Sequence, residues 1–299
     1  MSLTHPIPLP QAGEGTLPSR RTTRVPSAAK RERDRVRVRE LTGSMPSLRR
    51  LQSVAVSLAF PAVLLLLWEL SARYGWLPEQ ILPDPRLVIQ TIQEFVASGE
   101  LLDDTRISLA RVAQGFLFGG LAGLLLGIAM GLWPRFQAYV DPLFLAVSQV
   151  PTLGWMPLLI LLVGIDEELK VTIIAWAAFV PVTLNTYRGI RGVPARYREV
   201  GQVLTFGPWS ALTKIVLPAA VPTIFVGIRE GLANSWQTLV AAELFASSEG
   251  LGYLMAWGRQ LFQLDLVITA MIVVGAIGLL LNGGLGAIER RLQRWQVAS

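Results

Sequence analysis

The stretch EVGQVLTFGPWSALTKIVLP, residues 199–218, is a polar interruption between two strongly hydrophobic blocks. Its first part carries Val200, Val203 and Leu204 at the i, i+3, i+4 spacing of a short amphipathic helix. Apolar side chains exposed outside the bilayer indicate an interaction surface. We therefore predict that residues 199–218, named the elbow, form a docking element between two membrane spans.

The second part of the elbow is expected to restart the helix after a turn. Gly207 suits the N-cap of a helix, and Pro208 suits its first position, where the missing N–H is not needed. Pro218 is expected to end this second helix, because the residue before a proline is disfavoured in the α region. Phe206 and Trp209 are predicted as exposed aromatics at the tip, anchored in a partner's groove or, alternatively, in the lipid headgroup layer.

The elbow resembles the EAA loop of permease subunits of bacterial binding-protein-dependent ABC importers. That loop reads Glu-Ala-Ala, three residues, Gly, nine residues, Ile, one residue and Leu-Pro. The positions in register in this chain are Glu199, Val200, Gly201, Ile215, Leu217 and Pro218. The central Gly of the loop falls on Thr205, with Gly207 two residues later, and threonine tolerates a positive φ far less well than glycine.

The run 149–278 resembles the sulfonate, taurine and nitrate branch of this family, and the resemblance as a whole covers residues 51–295. It is carried by VPTLGWMP (150–157), LNTY (184–187) and FVGIR (225–229). The resemblance implies an all-α membrane protein with the type I ABC importer permease fold, about six transmembrane helices and a cytoplasmic EAA coupling loop. The implied solute is a small oxyanion, an aliphatic sulfonate or taurine, with nitrate, bicarbonate or a vitamin precursor as alternatives.

The same resemblance implies the partners of the chain. It would pair with a second permease copy as a homodimer, bind two ABC ATPase subunits at the elbows, and receive solute from a periplasmic solute-binding protein. ATP and Mg²⁺ would be bound by the ATPase, so no cofactor is expected in this chain. Coupling to the ATPase would fall to Glu199, Val200, Gly201, Thr205, Phe206, Gly207, Pro208, Trp209, Ile215, Leu217 and Pro218.

The composition independently indicates a membrane protein. Hydrophobic residues make up 52% of the chain and charged residues only 16%, whereas soluble domains carry about 25% charged residues. The chain has no cysteine and a single histidine, His5 in the polar N-terminal tail, which excludes thiolate metal sites and thiol nucleophiles. Its basic residues flank apolar segments, which is typical of membrane orientation rather than of nucleic-acid binding.

Six hydrophobic blocks predict six spans in a permease domain of residues 51–299. They are residues 54–70, 116–133, 142–165, 171–187, 222–240 and 266–288. The third block is broken by Pro151, Gly154 and Pro157, so it is a candidate to line the pathway or, alternatively, a proline-kinked packing helix. Residues 77–115 are polar and are expected at the outer surface, with an amphipathic stretch at 87–96.

A glycine stripe marks the second span. Glycine recurs at every fourth position, which places these residues along one helix face as a stacked GxxxG pattern. The stripe consists of Gly115, Gly119, Gly123, Gly127 and Gly131. Close helix–helix packing is the prediction, and the pattern carries no information about the solute.

The basic residues also predict the orientation. With both termini inside, the inner regions carry 20 Lys or Arg and the outer regions 6. The inner regions still carry 9 when the N-terminal tail, residues 1–50, is excluded. The elbow and both termini are therefore predicted to be cytoplasmic, in a bacterial inner membrane. The tail is basic and has too few apolar residues for a core, so it is predicted to be disordered.

Polar residues in the fifth span are the candidate pathway residues, because ionisable groups inside a membrane are functional candidates by default. The set is Arg229, Asn234, Ser235, Trp236 and Gln237. Arg229 and its neighbour Glu230 are alternatively a structural feature, and the cluster alternatively serves hydrogen bonding between helices. Asn185 and Asn282 are weaker candidates of the same kind.

The sequence contains no motif for catalysis or nucleotide binding. It has no GxxxxGK[ST] and no HExxH, and none of Lys30, Lys170 and Lys214 follows a glycine. The chain is therefore expected to be a transport subunit rather than an enzyme, with no catalytic or metal site. Two rival hypotheses are a stand-alone secondary transporter, which would show inverted repeats, and a membrane-embedded enzyme.

Overall fold

The computed structural model describes residues 46–78 and 81–292, all of whose regular structure is helical. The predicted tail, residues 1–50, lies outside the described residues except for residues 46–50, which are helical, and residues 293–299 also lie outside. The helices are α1 (Pro46–Tyr74), α2 (Pro85–Ser98), α3 (Glu100–Leu132), α4 (Pro134–Ser148), α5 (Met156–Val163), α6 (Glu167–Arg191), α7 (Ala195–Val203), α8 (Pro208–Ala246), α9 (Leu251–Gln260) and α10 (Leu264–Leu292).

The chain divides into two compact units, Met1–Leu64 and Leu65–Ser299. In the first unit the described residues belong to α1, which covers the first predicted span. Val56, Phe60 and Val63 on this helix are exposed. Such a surface is suited to contact with lipid, where exposed apolar side chains carry no hydration penalty.

The second unit holds most of the membrane-spanning helices. By length and composition, α3, α6, α8 and α10 can each cross a membrane. Helix α4 and the segment Thr152–Val163 are bent by 91° relative to each other, and together they would make a fifth, broken span. The break coincides with the predicted interruption of the third block, and a 3₁₀ turn, Thr152–Trp155, follows it. The described residues thus give four or five such spans in this unit, against about six predicted for the whole chain.

Helix α6 is the most buried of these spans, and it is packed between α3 and α8. The glycine stripe lies on the face of α3 that meets α6. A Cβ atom at Gly127 would lie 2.6 Å from the Thr186 Cβ, and one at Gly131 would lie 2.8 Å from the Ile190 Cβ. On the other side of α6, a Cβ at Gly227 of α8 would lie 2.6 Å from the Asn185 Cβ. Because these positions on α3 and α8 are glycines without a side chain, the backbones of α3, α6 and α8 can approach closely.

Helix α3 begins at Glu100, well before the predicted start of the second span at residue 116. Its first half is polar, but Ser108 and Arg111 are buried by protein rather than exposed to solvent. The region predicted as an outer polar segment is therefore largely two helices. The amphipathic stretch predicted at residues 87–96 lies on the first of them, α2.

The prediction that Pro218 ends a helix is wrong. Helix α8 runs on through Pro218 and Pro222 to Ala246, beyond the predicted span 222–240. A π turn, Leu212–Val216, ends two residues before the proline. Such a turn widens the backbone, so the proline ring and its missing N–H are accommodated without a break. The second half of the elbow and the fifth span are consequently one continuous helix.

Candidate coupling and translocation sites

Helix α7 ends in a turn of the Schellman type, in which Phe206 N–H donates to the Gly201 carbonyl at 2.9 Å and Thr205 N–H donates to the Gln202 carbonyl at 3.0 Å. Thr205 has φ +53°, the left-handed conformation that usually requires glycine. This is the position at which the EAA loop has its central Gly. The left-handed conformation is less favourable by about 1–2 kcal/mol for a residue with a Cβ, so the turn imposes local strain.

Gly201 holds the two helices of the elbow together. It is buried, and a Cβ added to it would lie 2.8 Å from the Ile215 Cδ1. The first helix of the elbow is therefore in contact with the second across the turn. Gly207 is the N-cap of α8 and Pro208 is at its start, as predicted from the sequence. Leu217 and Pro218 follow the π turn and are half-buried.

The exposed surface of the elbow carries an apolar patch. Val200, Val203, Leu204 and Trp209 are exposed, Val203 and Trp209 at 83% and 74% of their surface. Glu199 is exposed next to them. This patch can be covered by a protein partner or by the membrane interface, and the role of these residues in coupling stays a prediction.

Phe206 differs from its prediction as an exposed anchor. Its side chain is half-buried, and the Lys214 Nζ lies 5.3 Å from the centre of its ring. A cation at this distance is attracted to the face of the ring. Phe206 therefore packs within the elbow, and Trp209 is the exposed aromatic residue at the tip.

The candidate pathway residues separate into two groups. Arg229, Asn234 and Gln237 are exposed on α8. Arg229 and Gln237 line a groove of about 680 Å³ between α8 and α10, together with Glu230, Asn282 and Glu289 among others. Charged and amide side chains thus share this groove with apolar residues such as Val226 and Leu279.

Hydrogen bonds fix the charged residues of this groove. The Arg229 Nε donates to the Asn282 Oδ1 at 2.7 Å, and its Nη1 lies 3.6 Å from the Glu289 Oε2. The Asn185 Nδ2 donates to the Glu230 Oε2 at 2.9 Å. Arg229 and Glu230 therefore bind different helices, α10 and α6, instead of pairing with each other.

Ser235 and Trp236 form the second group, and the structure places them inside helix interfaces. The Ser235 Oγ donates to the Ile174 carbonyl at 3.3 Å, and the Trp236 Nε1 donates to the Val274 carbonyl at 3.2 Å. Both are buried. In this structure they pack α8 against α6 and α10, as the alternative of hydrogen bonding between helices expects, and Trp236 also lines the groove with Arg229 and Gln237.

The broken span lines an apolar cavity of about 610 Å³. The 3₁₀ turn and α5 line one part of this cavity, and α3 and α6 line the rest. Trp155 and Phe179 both pack against Trp176, with ring centroids 5.8 Å and 5.5 Å from it. The segment has a sharp 91° break beside this cavity, and its role in lining the pathway stays a prediction.

Sequence reasoning missed a buried charge network at the opposite end of the bundle from the elbow. Arg111 on α3 is 3% exposed and Glu243 on α8 is fully buried, and the Arg111 Nη1 donates to the Glu243 Oε1 at 2.8 Å. Ser108 Oγ and the Gly252 N–H also donate to the Glu243 carboxylate. The sequence does show Arg111 and Glu243 as single charged residues beside long apolar runs. Both residues fell in regions that the sequence analysis assigned to outer loops, so their pairing was not predicted.

No metal site is evident in residues 46–78 and 81–292, where no group of three or more His, Cys, Asp or Glu side chains is placed to hold an ion. The polar clusters of this part of the chain are instead paired internally, as in the groove and the buried network.

The chain is similar to several permease proteins along most of its length. It is 40% identical to the aliphatic sulfonates transport permease protein SsuC of Bacillus subtilis over 80% of this chain and 87% of that protein. It is 32% identical to the taurine transport system permease protein TauC of Escherichia coli, over 82% and 90%. It is 31% identical to the bicarbonate transport system permease protein CmpB of Synechococcus elongatus, over 85% and 95%.

Solved structures share the fold. The methionine ABC transporter MetNI in an inward-facing conformation matches with a TM-score of 0.57 at 15% identity, over 64% of this chain and 95% of that one. Residues 119–294 match the family described as "Binding-protein-dependent transport system inner membrane component". The chain therefore belongs to this family of multi-pass inner-membrane permease subunits of ABC importers, whose ATPase is a separate subunit.

Proposed function

We propose that this permease subunit forms the translocation pathway for a small oxyanion, an aliphatic sulfonate or taurine. Two of the relatives described above are named for these solutes, and they are similar to most of this chain. Bicarbonate is the second candidate, because a permease named for it is 31% identical over 85% of the chain. Nitrate and a vitamin precursor remain lower alternatives.

We further propose that the elbow couples the permease to ATP hydrolysis. The observation that carries this proposal is the exposed apolar surface on a turn that Gly201 and Ile215 hold closed. An ATPase subunit, binding ATP and Mg²⁺ itself, would cover Val203 and Trp209. The second half of the elbow is the first part of α8. A displacement of the elbow would therefore be transmitted along this helix to the groove that contains Arg229.

The proposed assembly has two copies of this chain, two ATPase subunits and one periplasmic solute-binding protein. Both termini and the elbow would be cytoplasmic, since inner regions carry 20 Lys or Arg against 6 in the outer regions. The exposed polar face of α8, with Arg229, Asn234 and Gln237, would line the pathway. The Arg229 guanidinium would favour an anionic solute, because its fork of donors matches an oxyanion.

Solute uptake by the reconstituted complex tests the proposal. The permease, its ATPase and its solute-binding protein are placed in proteoliposomes, and ATP-dependent uptake of labelled taurine, an alkanesulfonate, bicarbonate and nitrate is compared. We expect uptake of a sulfonate that requires ATP and the binding protein. Uptake driven by an ion gradient without ATP would support a secondary transporter, and preferential uptake of bicarbonate would move the solute assignment to the second candidate.

A further inference from the structure

Arg229 and Glu230 are adjacent charged residues near the middle of α8, a helix that can cross the membrane. Arg229 is bound to Asn282 on α10, whereas Glu230 is bound to Asn185 on α6. Both side chains also line the groove between α8 and α10. Ionisable groups are rare within spans because the bilayer solvates them poorly, and they mark solute pathways more often than packing contacts. The two residues are therefore candidates to contact the solute itself.

The charges of Arg229 and Glu230 differ in how they are compensated. The Arg229 Nη1 lies 3.6 Å from the Glu289 Oε2, so the guanidinium has an anionic partner in the chain. The Glu230 carboxylate is exposed, and no Lys or Arg nitrogen of residues 46–78 and 81–292 lies within 4 Å of it. A carboxylate within a span is costly without a cation. A cationic group from outside these residues is therefore favoured at Glu230.

Each of the two side chains keeps one hydrogen-bonding group for a solute. The Arg229 Nε and Nη1 face Asn282 and Glu289, but its Nη2 donates to no group in the described part of the chain. The Glu230 Oε2 accepts from Asn185, but its Oε1 accepts from none of the described residues. A guanidinium nitrogen can only donate and an ionised carboxylate can only accept. The groove therefore offers a donor for an anion next to an acceptor for a cation.

A small solute with both an anionic and an ammonium group matches this arrangement better than a simple anion. Adjacent positions on a helix are only about 1.5 Å apart along its axis, so a short molecule can contact both residues. The groove, at about 680 Å³, has room for such a molecule. An anion without an amine would interact favourably with Arg229 alone. It would also place its charge close to the unpaired carboxylate of Glu230, and repulsion between like charges opposes this.

We propose that Glu230 binds the ammonium group of a zwitterionic solute, so that the groove selects an aminosulfonate such as taurine over an alkanesulfonate that lacks an amine. The inference rests on the proposed function, in which the solute is a sulfonate and the exposed face of α8 lines the pathway. Arg229 contacts the sulfonate group, and Glu230 contacts the amine. Glu230 is thus a specificity-determining residue of the groove, and its carboxylate gains its cation from the solute.

The first test compares ATP-dependent uptake of taurine and of ethanesulfonate, which lacks the amine, by the complete complex in proteoliposomes. Each solute is supplied at a concentration that saturates the solute-binding protein, so that the remaining preference belongs to the permease. We expect Glu230→Gln to lower the ratio of taurine to ethanesulfonate uptake about tenfold, because it removes a hydrogen bond between two charged groups. Glu230→Asp keeps the carboxylate and should retain most of the ratio. Glu168→Gln is the matched control, since Glu168 is an exposed carboxylate outside this groove.

The second test examines the groove without the binding protein and uses the absence of native cysteine. Ala233→Cys places a thiol one helical turn from Glu230, because Ala233 is exposed and lines the groove. The thiol is treated with a cationic and with an anionic methanethiosulfonate reagent. We expect Glu230→Gln, added to this variant, to lower the ratio of the cationic to the anionic reaction rate about fivefold. Taurine should slow the reaction more than ethanesulfonate does.

These tests separate the role of Glu230 from the proposed function. Absence of ATP-dependent uptake of any sulfonate by the wild-type complex would contradict the proposed function. If the wild type transports, the role of Glu230 is refuted when Glu230→Gln leaves the uptake ratio unchanged or lowers both solutes equally, which would assign Glu230 to pairing with a cation of a second copy. If Glu230→Gln assembles in low yield, the Ala233→Cys variant decides. Equal protection by the two sulfonates, or no reaction with either reagent, then refutes the inference.

Discussion

Gly201 provides the sharpest test of the proposed coupling by the elbow. Its surroundings predict that substitution by alanine is nearly neutral and that substitution by aspartate is not. A Cβ at this position would lie 2.8 Å from the Ile215 Cδ1, about 1 Å closer than a normal carbon–carbon contact. The obstructing atom is the end of a flexible side chain. Its displacement costs about 0.5–1.5 kcal/mol, and alanine is favoured over glycine in a helix by about 1 kcal/mol. Gly201→Ala should therefore be almost neutral.

Gly201→Asp adds a charge to the same buried position. The carboxylate would lose water at a position packed against Ile215 and would lie in the last turn of α7, where the helix dipole is unfavourable for an anion. Burial of an unpaired polar group without compensation costs about 2 kcal/mol or more. We expect the closed elbow to become at least about 30-fold less populated, since each 1.4 kcal/mol is a factor of ten, and the dipole adds to the burial term.

The assay is co-purification of the ATPase with each permease variant, together with solute uptake in cells. Gly207→Ala is the matched control, because Gly207 has φ −64° and no atom within 4 Å of an added Cβ. We expect Gly201→Asp to lose both ATPase and uptake, and Gly201→Ala and Gly207→Ala to retain both. Normal ATPase content and uptake in Gly201→Asp would show that the contact with Ile215 does not set the shape of the coupling element.

Four further predictions concern other parts of the chain. Trp209→Ala should remove about 2 kcal/mol of ATPase binding energy while the permease still inserts, and unchanged affinity in a titration would assign Trp209 to the headgroup layer. Gly127→Leu should lower complex yield because a Cβ there meets Thr186 at 2.6 Å, whereas Gly120→Leu, with open space around it, should not; equal yields would refute the packing role of the stripe. Thr205→Gly should raise the thermal stability of the purified complex by relieving its φ of +53°, a gain of about 1 kcal/mol, and a lower melting temperature would contradict the strain. A cysteine introduced as Gln202→Cys should be labelled from the cytoplasmic side only, and labelling of intact cells from the periplasm would invert the topology.

Local patterns in the sequence were sufficient for the existence of the apolar spans and for the helix start at Gly207 and Pro208, but not for the start of α3 or the end of the elbow. In lipid every backbone polar group must be satisfied within its own segment, so a long apolar run already predicts a helix. Gly207 and Pro208 predicted the start of α8 because capping depends only on neighbouring residues. The glycine stripe likewise predicted a close helix contact, although its partner, α6, could not be named from spacing alone.

Only the tertiary structure decided which polar residues are buried and what they bind. Arg111 and Glu243 are 132 positions apart and meet because α3 and α8 pack side by side, which no local pattern encodes. Ser235, Trp236 and Gln237 are neighbours with hydrogen-bonding side chains, yet the rotation of α8 against α6 and α10 buries the first two and exposes the third. The continuation of α8 through Pro218 was equally undetermined, because a π turn and a helix end both accommodate a proline, and the choice between them depends on the packing of the elbow.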